Sequence, residues 1–332
     1  RTQDDGVALI RRAEVGEQGS SGTSSCSGDL PEFGHVLGAK FDELMKREVA
    51  PHGSKWPRLA VGVFSKAGCE EAPFREVIRS TWMKLPWVCP LSKIDTETNC
   101  SIFVGFVLGR AAGTKMAVDP DMTVLSIPET MNCGKTRAWF HYAVERYPAA
   151  THIAKMDMDA FPHWSQLLAG IQNLASPCKN VFGGRSWGAW GHRQHGRDDV
   201  PKLCKEPAYC PPEDCGMPEG SDFLRYGSAT PGCFSFMQGG LYFMSRQLAS
   251  EVSKDGGWWH VYSKNCYPED VATGRAVMQY ATENRTCVAA LSYDTDVAYW
   301  HAEGPRRWSP EAERVQWKKT HSVKNRRHVR RG

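Results

Sequence analysis

Residues 151–161 read THIAKMDMDAF, an alternating and mostly apolar run that delivers two aspartates, Asp157 and Asp159, one residue apart. Alternation of this kind predicts a β-strand. In a strand the side chains at i and i+2 share a face. If the chain is still extended through Asp159, both carboxylates project together from the strand's C-terminal end, where open α/β sheets place their ligands. Two adjacent carboxylates repel one another unless a cation lies between them. Mg²⁺ or Mn²⁺ suits such oxygen donors. A lone D-x-D also fits an ordinary surface turn, so its weight depends on partners elsewhere in the chain.

Upstream, residues 59–65 (LAVGVFS) have strand composition and lead into EAPFREVIRSTW. Pro73 suits a helix start. Phe74, Ile78 and Trp82 then form one apolar stripe, with Arg75 and Arg79 stacked beside it. A strand followed by a helix with two stacked arginines suits an anion such as a diphosphate, and equally suits a solvated basic face. Residues 101–109 (SIFVGFVLG) and 122–128 (MTVLSIP) predict two more strands, and residues 132–147 a helix ending before Pro148. Gly134-Lys135-Thr136 lacks the upstream glycine of a phosphate loop and is not read as one. Strands alternating with helices predict an α/β nucleotide-binding layer.

Downstream, the pattern loosens between 162 and 232, where a Cys/Pro-rich segment reads as a long disulfide-pinned loop. Zinc held by Cys204, Cys210 and Cys215 with His192 and His195 is an alternative, although that spacing matches no common site. Residues 234–245 (FSFMQGGLYFMS) resume strand character, and Gly239-Gly240 inside it marks a close approach. Ser245 is a candidate N-cap for a helix carrying Leu248 and Val252. Glu269 and Asp270 open a further helix after Pro268. A last strand at 286–293 leads to Asp294, Asp296 and His301. Residues 33–50 have helical spacing and predict a packing helix ahead of the domain.

The 332 residues allow one large domain or two ordinary ones, and 41% hydrophobic with 23% charged residues describes a globular chain. A net charge of +4, concentrated in the basic tail, gives no reason to expect nucleic acid as a partner. Twelve cysteines without a CxxC pair favour disulfides and an oxidising compartment. Two N-x-S/T sequons, at Asn99 and Asn284, agree with a glycoprotein. The chain begins at Arg1 rather than Met, so an N-terminal anchor or signal is expected to be missing from it.

FREVIRSTW, KMDMDAF, GGLYFMS, YPEDVATG and the late His301 follow one another in an order that resembles the β1,3-glycosyltransferases. That family comprises β1,3-galactosyltransferases, β1,3-N-acetylglucosaminyltransferases and Fringe-type enzymes. The Cys/Pro-rich insertion and polar stem are more similar to a protozoan branch, the phosphoglycan β1,3-galactosyltransferases of trypanosomatids. The resemblance implies a GT-A-type α/β domain with a mixed, mostly parallel sheet. It implies residues 1–55 as stem and leading helix, 56–305 as the catalytic domain with an insertion at about 183–232, and 306–332 as a basic tail. It further implies Mn²⁺, a UDP-sugar donor with UDP-galactose favoured, a glycan or phosphoglycan acceptor, inversion at the anomeric carbon, and a type II membrane protein facing the Golgi lumen.

Residue by residue, the resemblance makes Asp157, Asp159 and His301 metal ligands, and Arg75, Arg79, Asp157, Gly239 and Gly240 donor-binding residues. Asp270 becomes the catalytic base, with Glu269 the competitor for that role. Met158 stands where relatives carry a third aspartate. A carbohydrate-binding glycoprotein with the same fold and no turnover is the alternative. A metal-dependent phosphohydrolase would need more clustered Asp and His ligands.

Overall fold

The computed structural model describes residues 32–50, 56–68, 71–110, 118–174, 178–190, 234–293 and 299–301. The polar stem, the Cys/Pro-rich segment 191–233 with its zinc alternative, Asp294, Asp296 and the basic tail lie outside the described residues.

In chain order the elements are α1 (Glu32–Met45), β1 (Leu59–Phe64), α2 (Ala72–Ser80), β2 (Val88–Pro90), β3 (Ile102–Arg110), β4 (Met122–Pro128), α3 (Thr136–Arg146), β5 (His152–Asp157) and β6 (Ala160–Pro162). They continue with α4 (Trp164–Gln172), β7 (Asn180–Trp190), β8 (Phe234–Ser245), α5 (Arg246–Ser253), α6 (Trp258–Tyr262), α7 (Glu269–Asn284), β9 (Val288–Ser292) and β10 (Tyr299–His301). The main sheet runs β2-β3-β1-β5-β8-β7-β9, with β4 added to β3. β1, β3, β4 and β5 are mutually parallel, while β8 is antiparallel to both β5 and β7. This is the mixed, mostly parallel α/β sheet that the resemblance implies.

Strand periodicity sorts the core into two faces. Leu59, Val61 and Val63 of β1 pack with Leu37 and Phe41 of α1, Phe74 and Ile78 of α2, and Leu167 of α4. Ala60 and Phe64 pack on the opposite face with Trp139 of α3, Leu248 of α5 and Val277 of α7. Helices cover both faces, which is why β1 is buried at every position and reads as a continuous apolar run. The predicted stripe Phe74, Ile78 and Trp82 is fully buried. β1 lies between β3 and β5, so the chain reverses its winding direction beside β1. Such a switch point opens a crevice at the strands' C-terminal ends.

α1 belongs to this core. Its Leu37, Phe41 and Leu44 are buried, and Phe41 meets Phe161 of β6 at 5.4 Å and Trp300 of β10 at 6.3 Å between ring centroids. The helix thus backs the short ribbon in which β6 and β10 pair antiparallel. Disulfides Cys89–Cys100, Cys133–Cys266 and Cys178–Cys287 join elements among the described residues. Regular structure extends past the point where the sequence pattern loosens. α4 lies within that region, and β7 continues to Trp190, eight residues into the segment read as insertion. Ser245 precedes α5 as expected but makes no side-chain cap. Its hydroxyl instead accepts the Val181 N–H at 3.0 Å, because β7 competes for it.

His152, opposite Ser245 at the start of β5, lies edge-on to Phe243 at 5.7 Å between centroids. Burial pushes its pKa down from 6.5 to about 4. Between those values the unfolded chain binds a proton that the folded chain refuses. Stability is therefore complete above pH 6.5 and falls as pH drops toward 4. Because the ring is partly solvated, the expected loss is about 1–2 kcal/mol, below the ceiling of 1.4 kcal/mol per pH unit. Urea midpoints for the parent and His152→Gln should converge as pH falls through this window. Parallel profiles would refute the assignment.

Candidate active site

β5 ends at Asp157, beside Phe64 at the end of β1, and a turn then carries Met158 and Asp159. The two aspartates therefore meet through a turn, where strand pleating would have placed them on one face. The strand neighbour that shares Asp157's face is Lys155. Met158 turns inward and is buried in the core with α1, α2 and α4. β10 brings in the histidine: His301 pairs with Ala160, the residue after Asp159. Its Nε2 lies 3.2 Å from Asp159 Oδ1. Ligand atoms of Asp157, Asp159 and His301 all fall within 4.8 Å of one another. Asp157 is buried and the other two are half-buried. Two carboxylates and one imidazole at this spacing fit a divalent ion with a preference for oxygen and borderline nitrogen donors.

Beneath this group lies a buried charge network. The Lys155 ammonium, fully enclosed, donates to Asp157 Oδ1 at 2.7 Å, to Glu269 Oε1 at 2.6 Å and to the Gly239 carbonyl at 2.7 Å. Glu269 also accepts from Thr136 Oγ1 at 3.2 Å and from the Tyr242 hydroxyl. Burial by itself would lower the Lys155 pKa, but Asp157 and Glu269 outweigh it and hold the ammonium above its ordinary range. Burial raises Glu269, against the opposing pull of Lys155. Burial and Glu269 also drive the Tyr242 phenol well up, so it stays a neutral donor.

Gly239 and Gly240 lie where β8 bulges away from β7, between the pairs Gly184↔Tyr242 and Ser186↔Met237. A Cβ on Gly239 would come within 2.9 Å of Glu269 Oε1 and 3.5 Å of Asp157 Oδ2. One on Gly240 would come within 2.2 Å of Tyr299 and 3.0 Å of the His301 ring. Both glycines make room for the chain's own side chains: the first for the Lys155 network, the second for the strand that carries His301.

At the end of β1, the buried Arg75 donates to Ser65 Oγ and the Lys66 carbonyl, each at 2.8 Å. Its Nε, also buried, has no hydrogen-bond partner among the described residues. α2 runs back down the sheet, so Arg79, one turn further on, meets Asp121 at 2.7 and 2.8 Å and Asp119 at 2.7 Å. The two arginines stacked in sequence thus have separate surroundings. Lys135, from the glycine-lysine-threonine run, is buried against the Ser65 carbonyl and Glu129, each at 2.7 Å.

α7 starts at Glu269, so Glu269 and Asp270 occupy its first turn. Glu269 faces inward to Lys155. Asp270 is half-buried, and its Oδ1 accepts the Val271 N–H at 2.8 Å. Sequence reading missed Lys155, Tyr242 and Thr136. The available signal for Lys155 was an ionisable residue within an otherwise apolar strand segment, which requires a buried partner.

Residues 74–284 match a family model described as Galactosyltransferase, a span running from α2 to the end of α7. Among curated proteins compared by sequence, none matches this chain. Solved structures similar to it include the inositol-1-phosphate CTP transferase from T. maritima, at 14% identity and a TM-score of 0.33, covering 80% of this chain and 97% of that one. HddC from Yersinia pseudotuberculosis matches at 12% identity and a TM-score of 0.23, covering 58% of this chain and 79% of that one. Likeness at these scores carries no argument about function. The family match spans most of the chain and includes the strand, the aspartates and the helix described above: this chain belongs to the galactosyltransferase family.

Proposed function

We propose that this chain is an inverting, metal-dependent hexosyltransferase that moves galactose, or N-acetylglucosamine, from a UDP-sugar to a glycan hydroxyl in β1,3 linkage. The observation that carries the reading is the meeting of Asp157, Asp159 and His301 within 4.8 Å at the sheet's C-terminal edge. These residues would hold the divalent ion, Mn²⁺ in this reading. When bound, it supplies positive charge opposite the departing diphosphate. Arg75, fixed by Ser65 and Lys66 at the end of β1, lines the donor pocket with its guanidinium already oriented. Arg79, one turn further along α2, is held by Asp119 and Asp121 and contributes its positive charge to the donor end of the helix in this reading.

Asp270 is the base. As the acceptor hydroxyl attacks the anomeric carbon, its proton passes to the Asp270 carboxylate. The new C–O bond forms while the bond to the UDP oxygen breaks, and UDP leaves with the electron pair. Inversion needs only this one carboxylate. The helix N-terminus favours its ionised form. Glu269 is unsuited to the role, because Lys155, Tyr242 and Thr136 already occupy its oxygens.

The reading includes an oxidising Golgi lumen, supported by the disulfides. Among the described residues no helix is long and apolar enough to cross a membrane, so an anchor would lie outside them. Thermal shift and transfer assays with a panel of UDP-sugars test the proposal. UDP-galactose with Mn²⁺ is expected to raise Tm and support transfer, and EDTA to abolish both. No shift with any UDP-sugar, with or without Mn²⁺, would sink it.

A further inference from the structure

We propose that Lys155 and Glu269 are positioning residues that set the affinity of the Asp157–Asp159–His301 group for its cation. The inference rests on the metal reading above and assigns roles to two residues that touch no ion in it.

A lysine ammonium has three protons to donate. Those of Lys155 reach the end of β5 at Asp157 Oδ1, the β8 bulge at the Gly239 carbonyl and the first turn of α7 at Glu269 Oε1, all at 2.6–2.7 Å. Water has no access to the ammonium, and the rings of Phe64 and Tyr242 lie 5.4 and 5.6 Å from it. One positive charge is thus shared between two carboxylates in a medium that screens weakly. The share held by Asp157 competes with any cation that Asp157 binds. Glu269 draws the ammonium the other way and keeps Asp157 available. It is itself held by Tyr242 and Thr136, so its position does not follow the ammonium.

The consequence is a coupling with a defined sign. Without the Glu269 charge, Lys155 pairs with Asp157 alone, and both the closed Asp157 oxygen and the uncompensated ammonium oppose an incoming dication. Without both charges, the competitor is gone and Asp157 is open again. Replacing a buried pair by neutral side chains of similar volume is also gentler than breaking it.

The test is direct Mn²⁺ binding in the presence of UDP, read from the electron paramagnetic resonance signal of the free ion, with thermal melts to establish folding. Glu269→Gln is expected to weaken Mn²⁺ about tenfold, within the range that residues behind metal ligands exert. The double variant Lys155→Met/Glu269→Gln is expected to recover the parent Kd or bind more tightly. A merely structural role would leave the double variant no better than the single one, and that result overturns the proposal. So does a folded Glu269→Gln protein with the parent Kd. If Glu269→Gln does not fold, Lys155→Met decides: Mn²⁺ must bind it at least as tightly as the parent, and weaker binding rejects the coupling. A parent protein that binds no Mn²⁺ refutes the metal reading itself, whereas a binding parent with unchanged variants refutes only the coupling.

Discussion

Asp270→Asn is expected to lower kcat by about 10²–10⁴-fold, the usual share of a general base, with UDP affinity and Tm close to the parent. The asparagine oxygen can still accept the Val271 N–H that Asp270 Oδ1 accepts at 2.8 Å, so the first turn of α7 keeps its local bond. The side chain is half-buried at a helix N-terminus, where one carboxylate charge contributes about 0.3–2 kcal/mol. The amide cannot take up a proton from the acceptor hydroxyl. Turnover with saturating donor and acceptor, together with calorimetric UDP binding, separates the two effects. Transfer at the parent rate would remove Asp270 from the role of base.

Glu269→Ala, one residue away, should behave in the opposite way and cost about 3–5 kcal/mol of stability, the scale for breaking a buried ion pair from one side. Lys155, fully enclosed, would lose its bond of 2.6 Å and share its charge with Asp157 alone, and Tyr242 would lose its acceptor. For a domain of this size that is a fall in Tm of about 10 °C. Scanning calorimetry of the two variants side by side checks the contrast. A Glu269→Ala protein as stable as the parent would mean that the buried pair contributes little.

Much of the architecture is legible in the sequence because it rests on local composition and spacing. The strands at 59–64 and 102–110 follow from short continuous apolar runs, and the stripe Phe74, Ile78 and Trp82 from helical spacing. What escapes such reading is short or long-range. β6 and β10 have three residues each, too few to show a period, and they exist because they pair with one another and pack against Phe41 of α1. The same remoteness hides charge partners. Arg79 finds Asp119 and Asp121 some forty residues on, so two arginines equivalent in sequence part company once α2 lies along the sheet.

The sequence by itself determined which side chains were available for the site and in what order: the aspartates closing a strand, an acidic pair opening a helix, and a late histidine. Tertiary structure alone decided how they are used. A turn after Asp157 swings Asp159 toward His301, and Lys155 becomes the strand neighbour that shares Asp157's face. Glu269 and Asp270 carry the same charge at adjacent positions. One residue of helix turns a side chain by about 100°, enough to bury the first against Lys155 and leave the second half-exposed. That rotation has meaning only relative to the sheet on which α7 lies.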